Sequence, residues 1–86
     1  MKKMLYIMNP FAGQKRANRV LPDILLQFCE AGFEINTVMT TGTGSATRAA
    51  EKYGKEVDMV VCCGGDGTLN ETVTGLLRAG ADTPLG

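Results

Sequence analysis

Cys62–Glu71, with the sequence CCGGDGTLNE, is the stretch that decides the fold. An apolar run leads into three glycines, Gly64, Gly65 and Gly67, and a helical pattern begins at Thr68. A strand, a glycine turn and a helix in this order direct backbone N–H groups and a helix N-terminus at an anion, most often a phosphate. Glycine suits this turn because a side chain would obstruct both the turn and the approach of a ligand. The stretch therefore predicts a nucleotide-phosphate site.

Length and composition limit the chain to one small globular domain, residues 1–86. Nine basic and nine acidic residues cancel, so no positive field favours a nucleic-acid partner. The apolar run near the N-terminus is shorter than a signal-peptide core of about 7–15 residues. No stretch approaches the roughly 18 apolar residues that span a bilayer. We therefore expect a cytoplasmic domain without a transmembrane segment.

The cysteines Cys29, Cys62 and Cys63 have neither metal-ligand nor CxxC spacing. Adjacent residues of a strand point to opposite faces, so Cys62 and Cys63 are poorly placed to bind one ion together. We expect all three to be small buried apolar side chains in a reducing compartment, and no metal site.

Strand and helix patterns alternate three times along the chain. Strands are predicted at 4–8, 34–40 and 57–63, helices at 14–31, 46–53 and 68–79, and a turn at 82–86 enters a fourth strand. Such alternation predicts an α/β fold of three layers, α/β/α, around a short parallel sheet. We favour strand order 2-1-3, because it brings the loops at 9–13 and 64–67 to one crevice at the carboxyl ends of the strands.

Helix ends and faces can also be predicted. Pro22 either kinks the first helix or starts a second segment, and Ser45 can cap the next helix. Thr68 and Glu71 have the spacing of a capping box, although Glu71 could equally belong to the site. The last helix is expected to bury an apolar stripe, whose members are Leu69, Val73, Leu76 and Leu77.

Asp66 is the unusual residue among the glycines. A carboxylate beside phosphates would be repelled, unless a divalent cation bridges them or the carboxylate contacts a hydroxyl instead. The alternative is that Asp66 and the glycines only shape a turn, where both residue types are common.

The motifs resemble a known family. GGDGT is shared by ATP-using kinases that include NAD kinases and, in a related form, 6-phosphofructokinases. GGDGTLNE followed by TVTGL resembles the diacylglycerol kinase catalytic domain of bacterial diacylglycerol and sphingosine-kinase-like lipid kinases. Asn9–Gly13 is similar to that family's NPxxG loop, and Thr40 with Gly44 and Ala46 is similar to its T…G-x-A stretch.

This resemblance implies an enzyme that transfers the γ-phosphoryl group of ATP to a lipid hydroxyl, such as that of diacylglycerol, at a membrane surface. It implies that Asp66 supports catalysis by organising Mg²⁺ or its waters. The residues implied to bind ATP are Asn9, Pro10, Phe11, Ala12, Gly13, Thr40, Gly64, Gly65, Asp66, Gly67, Thr68, Leu69 and Asn70.

The chain departs from the family pattern in two ways. Ser45 stands where the family often has Asp or His. The family's domain continues beyond PLG into a PxGTxND loop and then a β-rich domain, which carries the proposed general base. The resemblance therefore implies an incomplete N-terminal ATP-binding domain that is inactive by itself.

Two other functions remain open at the level of sequence. One is a fragment of an NAD kinase-like or phosphofructokinase-like enzyme, against which the LNE extension and the NPxxG loop argue. The other is a non-catalytic nucleotide-binding or assembly module. An unfinished sheet exposes strand edges, so we also predict a homo-oligomer.

Overall fold

A computed structural model describes the backbone of residues 1–11 and 16–86, and the side chains of 1–11 and 19–86. It is an α/β fold in which strands and helices alternate. The elements are β1 (Lys2–Met8), α1 (Arg16–Glu30), β2 (Phe33–Met39), α2 (Ser45–Tyr53), a 3₁₀ turn (Gly54–Glu56), β3 (Met59–Cys63) and α3 (Asp66–Ala79).

The sheet is parallel, and its strand order is β2-β1-β3, as the sequence predicts. β1 is the central strand, which explains why its residues from Met4 to Met8 are buried without alternation. Met8 pairs with Met39 of β2 and with Cys63 of β3. The three strands therefore end at one level, and the loops that follow them start side by side.

The predicted entry into a fourth strand is also confirmed. Leu85 forms a parallel bridge with Val60 on the edge of β3 that faces away from β1. The Gly86 N–H donates to the Val60 carbonyl at 2.8 Å, and the Val60 N–H donates to the Pro84 carbonyl at 2.9 Å. The residues around Leu85 thus lie beside β3 and extend the sheet beyond its third strand.

Helices cover both faces of the sheet, as predicted, because β1 directs alternate side chains into two cores. One core joins the sheet to α2 and α3 and contains Leu5, Ile7, Ala46, Ala49, Ala50, Val60 and Leu76. The other joins it to α1 and contains Met4, Tyr6 and Met8, with Leu21, Ile24 and Phe28 packed against them.

The cysteines only partly follow the prediction. Cys62 packs against the core of α2 and α3, while Cys63 packs against the core of α1, so the two point to opposite faces. Both are half-buried, but Cys29 is exposed near the end of α1, where burial was wrongly expected. α1 itself is a single helix through Pro22 rather than two segments.

The buried face of α3 differs from the predicted apolar stripe. The buried residues are Thr68, Thr72, Gly75 and Leu76, whereas Leu69, Val73 and Leu77 are exposed, Leu77 to 74%. The reason is that α3 packs against the backbone of α2, where only small side chains fit. A Cβ atom on Gly75 would overlap the Thr47 carbonyl oxygen and lie 2.7 Å from the Ala50 Cβ atom. Thr72 is tolerated there because its hydroxyl donates to the Thr68 carbonyl at 2.8 Å.

Within the ranges 1–11 and 16–86, no helix has the length and apolar character needed to cross a membrane.

Candidate functional site

Backbone hydrogen bonds hold the carboxyl ends of the three strands together. The Asn9 N–H donates to the Cys63 carbonyl at 2.9 Å, and the Thr40 N–H donates to the Met8 carbonyl at 2.8 Å. Each bond continues the strand pairing by one residue into a loop. The start of the first loop, the end of β2 and the glycine loop therefore form one continuous edge.

A cleft of about 360 Å³ opens at this edge. Its lining consists of residues from the loops after β1 and β2 and from the first turns of α3, namely Asn9, Phe11, Thr40, Thr41, Gly42, Thr43, Gly67, Thr68 and Glu71. This is the crevice that the sequence predicts from strand order 2-1-3.

Five of the residues that the resemblance implies lie in the lining of this cleft, and they are Asn9, Phe11, Thr40, Gly67 and Thr68. Six others lie next to it in sequence but outside its lining, and they are Pro10, Gly64, Gly65, Asp66, Leu69 and Asn70. Ala12 and Gly13 lie outside the described residues. The structure therefore brings the first loop, Thr40 and the start of α3 together.

The contribution of the loop after Thr40 to the cleft was missed at the level of sequence. Thr41, Gly42 and Thr43 line the cleft, as does Glu71, whose role the sequence left open. A signal was present, because TTGTG at 40–44 is a run of small polar residues directly after a strand. Such a run forms a loop whether or not that loop faces a ligand. Only the packing of α2 decides whether the loop lines the cleft.

Asn9 organises the first loop. Its side-chain oxygen Oδ1 accepts a hydrogen bond from the Phe11 N–H at 3.0 Å, which closes an Asx turn directly after β1. The Phe11 side chain is 71% exposed although it lines the cleft. The loop thus presents an amide side chain and an aromatic ring to the same opening.

The glycine loop does not need glycine for its backbone angles. Among the described glycines, positive φ occurs at Gly32, Gly44 and Gly80 and not in the loop at 64–67. A Cβ atom on Gly64 would lie 2.5 Å from the Thr68 hydroxyl oxygen, so Gly64 allows close packing. Cβ atoms on Gly65 and Gly67 would meet nothing within 4 Å.

The N-terminus of α3 lacks a side-chain cap. Its N-cap residue is Gly65, in an extended conformation, and the first helical bond runs from the Leu69 N–H to the Gly65 carbonyl at 3.2 Å. The N–H groups of Asp66, Gly67 and Thr68 precede this bond and have no acceptor within the helix. The helix therefore begins at Asp66 rather than at Thr68, and the predicted capping box is wrong.

Glu71 caps the neighbouring helix instead. Its carboxylate oxygen Oε1 accepts a hydrogen bond from the Ala46 N–H at 3.2 Å, in the first turn of α2. The prediction that Ser45 caps that helix is wrong, because Gly44 takes the N-cap position with φ of 83°. The Ser45 hydroxyl oxygen accepts from the Thr41 N–H at 3.1 Å. Both helices thus have a glycine N-cap, but the Glu71 carboxylate accepts an N–H of α2, whereas α3 has no side-chain cap.

Asp66 is the first residue of α3, and its side chain is exposed. Within the part of the chain that the structure describes, no three His, Cys, Asp or Glu side chains come close enough to hold a metal ion. A divalent cation near Asp66 would need oxygen ligands from a bound phosphate and from water, as Mg²⁺ often has.

The strands below the glycine loop carry ionisable groups that stay neutral near pH 7. Burial and the neighbouring Cys63 thiol raise the pKa of Tyr6 to about 12. Burial, with a smaller contribution from Cys63, also raises the pKa of the Cys62 thiol. Tyr6 and Cys62 therefore bring no charge to the strands below the glycine loop near pH 7.

The chain is similar to known proteins in sequence and in fold. The chain matches the family model of the diacylglycerol kinase catalytic domain over residues 3–86. It is 42% identical over 77 residues to a diacylglycerol kinase of Bacillus subtilis (strain 168), a match that covers 88% of this chain and 25% of the relative. It is 41% identical over 76 residues to a diacylglycerol kinase of Staphylococcus aureus (strain MRSA252), covering 87% of this chain and 24% of the relative.

The fold is similar to that of a solved structure, a putative diacylglycerol kinase from Bacillus anthracis str. Sterne. The TM-score is 0.86 at 32% sequence identity, over 98% of this chain and 30% of that chain. The chain thus spans about a quarter of the length of these curated relatives.

Proposed function

This chain belongs to the diacylglycerol kinase catalytic domain family, and we propose that it is the ATP-binding part of a lipid kinase. In the complete reaction, the γ-phosphoryl group of ATP is transferred to a lipid hydroxyl such as that of diacylglycerol. The observation that carries this proposal is the start of α3, which is bordered by glycine and lies at a cleft between three strand ends.

The cleft fits the phosphates of ATP. The first-turn N–H groups of Asp66, Gly67 and Thr68 lack partners within the helix, and they carry the positive end of its dipole. The open space at Gly65 and Gly67 lets a phosphate approach this backbone directly. Polar side chains of the lining, those of Asn9, Thr40 and Thr68, supply further hydrogen bonds. Pro10, Leu69 and Asn70 are proposed to shape the site from its rim.

Mg²⁺ is the proposed companion of ATP, and it would neutralise charge on the phosphates when bound. Asp66 is the residue proposed to hold the ion or its waters, because its carboxylate is exposed at the start of α3, beside the proposed phosphate site. In this way Asp66 supports the transfer without acting as the general base.

We propose that the 86 residues bind ATP but do not transfer its phosphoryl group. The polar groups of the cleft can position phosphates, and the chain spans about a quarter of the length of the curated relatives that it matches. The reaction is proposed to take place in the cytoplasm, at a membrane surface, where the lipid hydroxyl is accessible.

A titration with ATP and Mg²⁺, followed by amide NMR, tests the proposed site. We expect shifts of the amides of Asp66, Gly67, Thr68 and Asn9, and no phosphorylation of diacylglycerol by this chain. The opposite end of the sheet offers an internal control, because a second cavity of about 230 Å³ there is lined by Lys3 and Tyr53 among others. Shifts confined to that cavity, or none at saturating ATP, would count against the proposal.

We also propose that the chain alone self-associates. β2 lies at an edge of the sheet, and α3 exposes Leu69, Val73 and Leu77 on one side. Unpaired edges and contiguous apolar surface both favour contact with a second copy. Light scattering should give a mass above 9.2 kDa, and Val73→Gln with Leu77→Gln should lower it. A monomer at high concentration would refute this.

A further inference from the structure

Glu71 lies where the cleft meets the contact between α2 and α3. Its carboxylate oxygen accepts from the Ala46 N–H at 3.2 Å, and its backbone carbonyl accepts from the Thr47 hydroxyl at 2.9 Å. Its side chain also belongs to the lining of the cleft. A residue of α3 therefore caps a helix that begins 26 residues earlier (71 − 45).

The loop at 41–44 is linked to this cap. Ser45, the first residue of α2, accepts a hydrogen bond from the Thr41 N–H at 3.1 Å, and Ala46 follows it. The Ser45 N–H donates to the Gly42 carbonyl at 3.1 Å. The hydrogen bond at Ala46 holds the start of α2 in place. Because Ser45 is hydrogen-bonded to Thr41 and Gly42, this also holds the short loop that forms one wall of the cleft.

Electrostatics favours a capping role over direct contact with a phosphate. A carboxylate that faces phosphates is repelled by them, whereas the N-terminus of α2 carries an opposite partial charge. By accepting from the Ala46 N–H, Glu71 places its charge against α2. The N-terminus of α3, with Gly65 as its N-cap, is left for a ligand.

We propose that Glu71 is a positioning residue, which holds the 41–44 wall of the cleft at a set distance from the N-terminus of α3. This inference rests on the proposed function, in which phosphates bind at that N-terminus. Glu71 acts on the nucleotide through the loop and not by touching it.

Three variants of the 86-residue chain distinguish positioning of the loop from direct contact between Glu71 and the nucleotide. Glu71→Ala removes the cap, and Glu71→Asp keeps the charge but shortens the side chain by one methylene group. Glu71→Gln keeps an oxygen that can accept from the Ala46 N–H. A matched control is Thr47→Val, which removes the other hydrogen bond between the two helices but leaves the cap.

The readouts in the absence of ligand are hydrogen exchange of the Ala46 amide and ¹⁵N relaxation at Thr41, Gly42 and Thr43. Without the cap, exchange at Ala46 should accelerate about five- to tenfold, as expected for a helix cap of ordinary strength. Glu71→Ala and Glu71→Asp should also increase the mobility of the loop. Glu71→Gln should restore both values towards the wild type, and Thr47→Val should leave the loop unchanged.

ATP affinity is the second readout. The dissociation constant should rise in Glu71→Ala and Glu71→Asp and return towards the wild-type value in Glu71→Gln. Unchanged exchange at Ala46 in Glu71→Asp, or equal loop mobility in Glu71→Ala and Thr47→Val, would overturn the role of Glu71. Weaker ATP binding with an unchanged loop would also overturn it. If the wild type binds no ATP, the proposed function fails, and the measurements without ligand still decide whether Glu71 positions the loop.

Discussion

Gly64 packs directly against Thr68, so that a Cβ atom on Gly64 would lie 2.5 Å from the Thr68 hydroxyl oxygen and 2.9 Å from its Cβ atom. The φ angle of Gly64 is not positive, so the backbone conformation does not require glycine at this position. The close contact with Thr68 does require it, because a larger side chain would clash there. Thr68 lines the cleft, so this contact sets how closely the first turn of α3 approaches the sheet.

Gly64→Ala should destabilise the fold. The added methyl group meets a β-branched side chain at its rigid Cβ atom, so the backbone of the loop must shift. We expect the free energy of unfolding to fall by about 1–3 kcal/mol, as for other overpacked sites. Urea denaturation measures this change, and Gly67→Ala is the control, since its methyl group would meet nothing within 4 Å. Equal stability of the two variants would contradict the role of the Gly64–Thr68 contact.

Gly65→Ala and Gly67→Ala should separate binding from stability. Both methyl groups point into open space, and Gly67 lies within α3, where alanine is favoured over glycine by up to about 1 kcal/mol. Stability should hold or rise in Gly67→Ala and fall modestly in Gly65→Ala, because glycine is preferred to alanine at an N-cap. ATP affinity should fall about tenfold in both variants, or about 1.4 kcal/mol. Calorimetric titration with ATP and Mg²⁺ checks the affinity. Undiminished affinity in both variants would show that phosphates do not approach this backbone.

Gly75→Ala should weaken the contact between α2 and α3. The new methyl group would overlap the Thr47 carbonyl oxygen and lie 3.0 Å from the Glu51 nitrogen, and neither backbone atom can rotate away. We expect a loss of about 1–3 kcal/mol in the free energy of unfolding. Gly42→Ala is the matched control, because Gly42 has open space around it. Urea midpoints that coincide for the two variants would refute close backbone packing at Gly75.

Tyr6 should make stability depend on pH in the alkaline range. Its pKa is raised from 10.0 to about 12 in the folded chain, chiefly because it is buried and also because of Cys63. Between pH of about 10 and about 12 the unfolded chain loses this proton while the folded chain keeps it. The unfolded state then binds fewer protons, so the free energy of unfolding falls as pH rises, and the contribution is intact below pH 10.

The check is a series of urea denaturations at neutral and alkaline pH for the wild type, Tyr6→Phe and a control, Tyr53→Phe. Tyr6→Phe should show a smaller loss of stability between neutral pH and pH 11 than the other two proteins. A loss of the same size in all three would exclude Tyr6 as its source.

Sequence reasoning succeeded for features that depend on neighbours in the chain. The apolar run of β1 and the alternation of strands with helices could be predicted because strand burial and helical periodicity have local patterns. Strand order 2-1-3 followed from the expectation that two loops share one crevice. At Pro22 local rules allowed either a kinked helix or the start of a second segment, and the structure has one helix through this residue.

Sequence reasoning failed where the hydrogen-bond or packing partner of a side chain is distant in sequence. Glu71 is spaced to cap its own helix at Thr68, yet it caps α2 at Ala46. The apolar pattern of α3 predicted that Leu77 is buried, whereas Gly75 faces α2 and Leu77 faces outward. Close packing of two helix backbones requires small residues at the contact. A hydropathy pattern does not predict this requirement, because it identifies the apolar face of a helix and not the face with small side chains.

By itself, the sequence determined the succession of strands and helices, the parallel sheet and the glycine loop at the end of β3. These follow from periodicity and from residues that are close in the chain. Only the tertiary structure decided that Thr41, Gly42 and Thr43 join the cleft and that Glu71 anchors α2. The physical reason is that both depend on how closely α2 and α3 pack, and that distance is set by Gly75 against the backbone of Thr47. The motif at 64–71 predicted an anion site at the start of α3, which borders the cleft, but no pattern in the sequence predicted that 41–43 form the opposite wall.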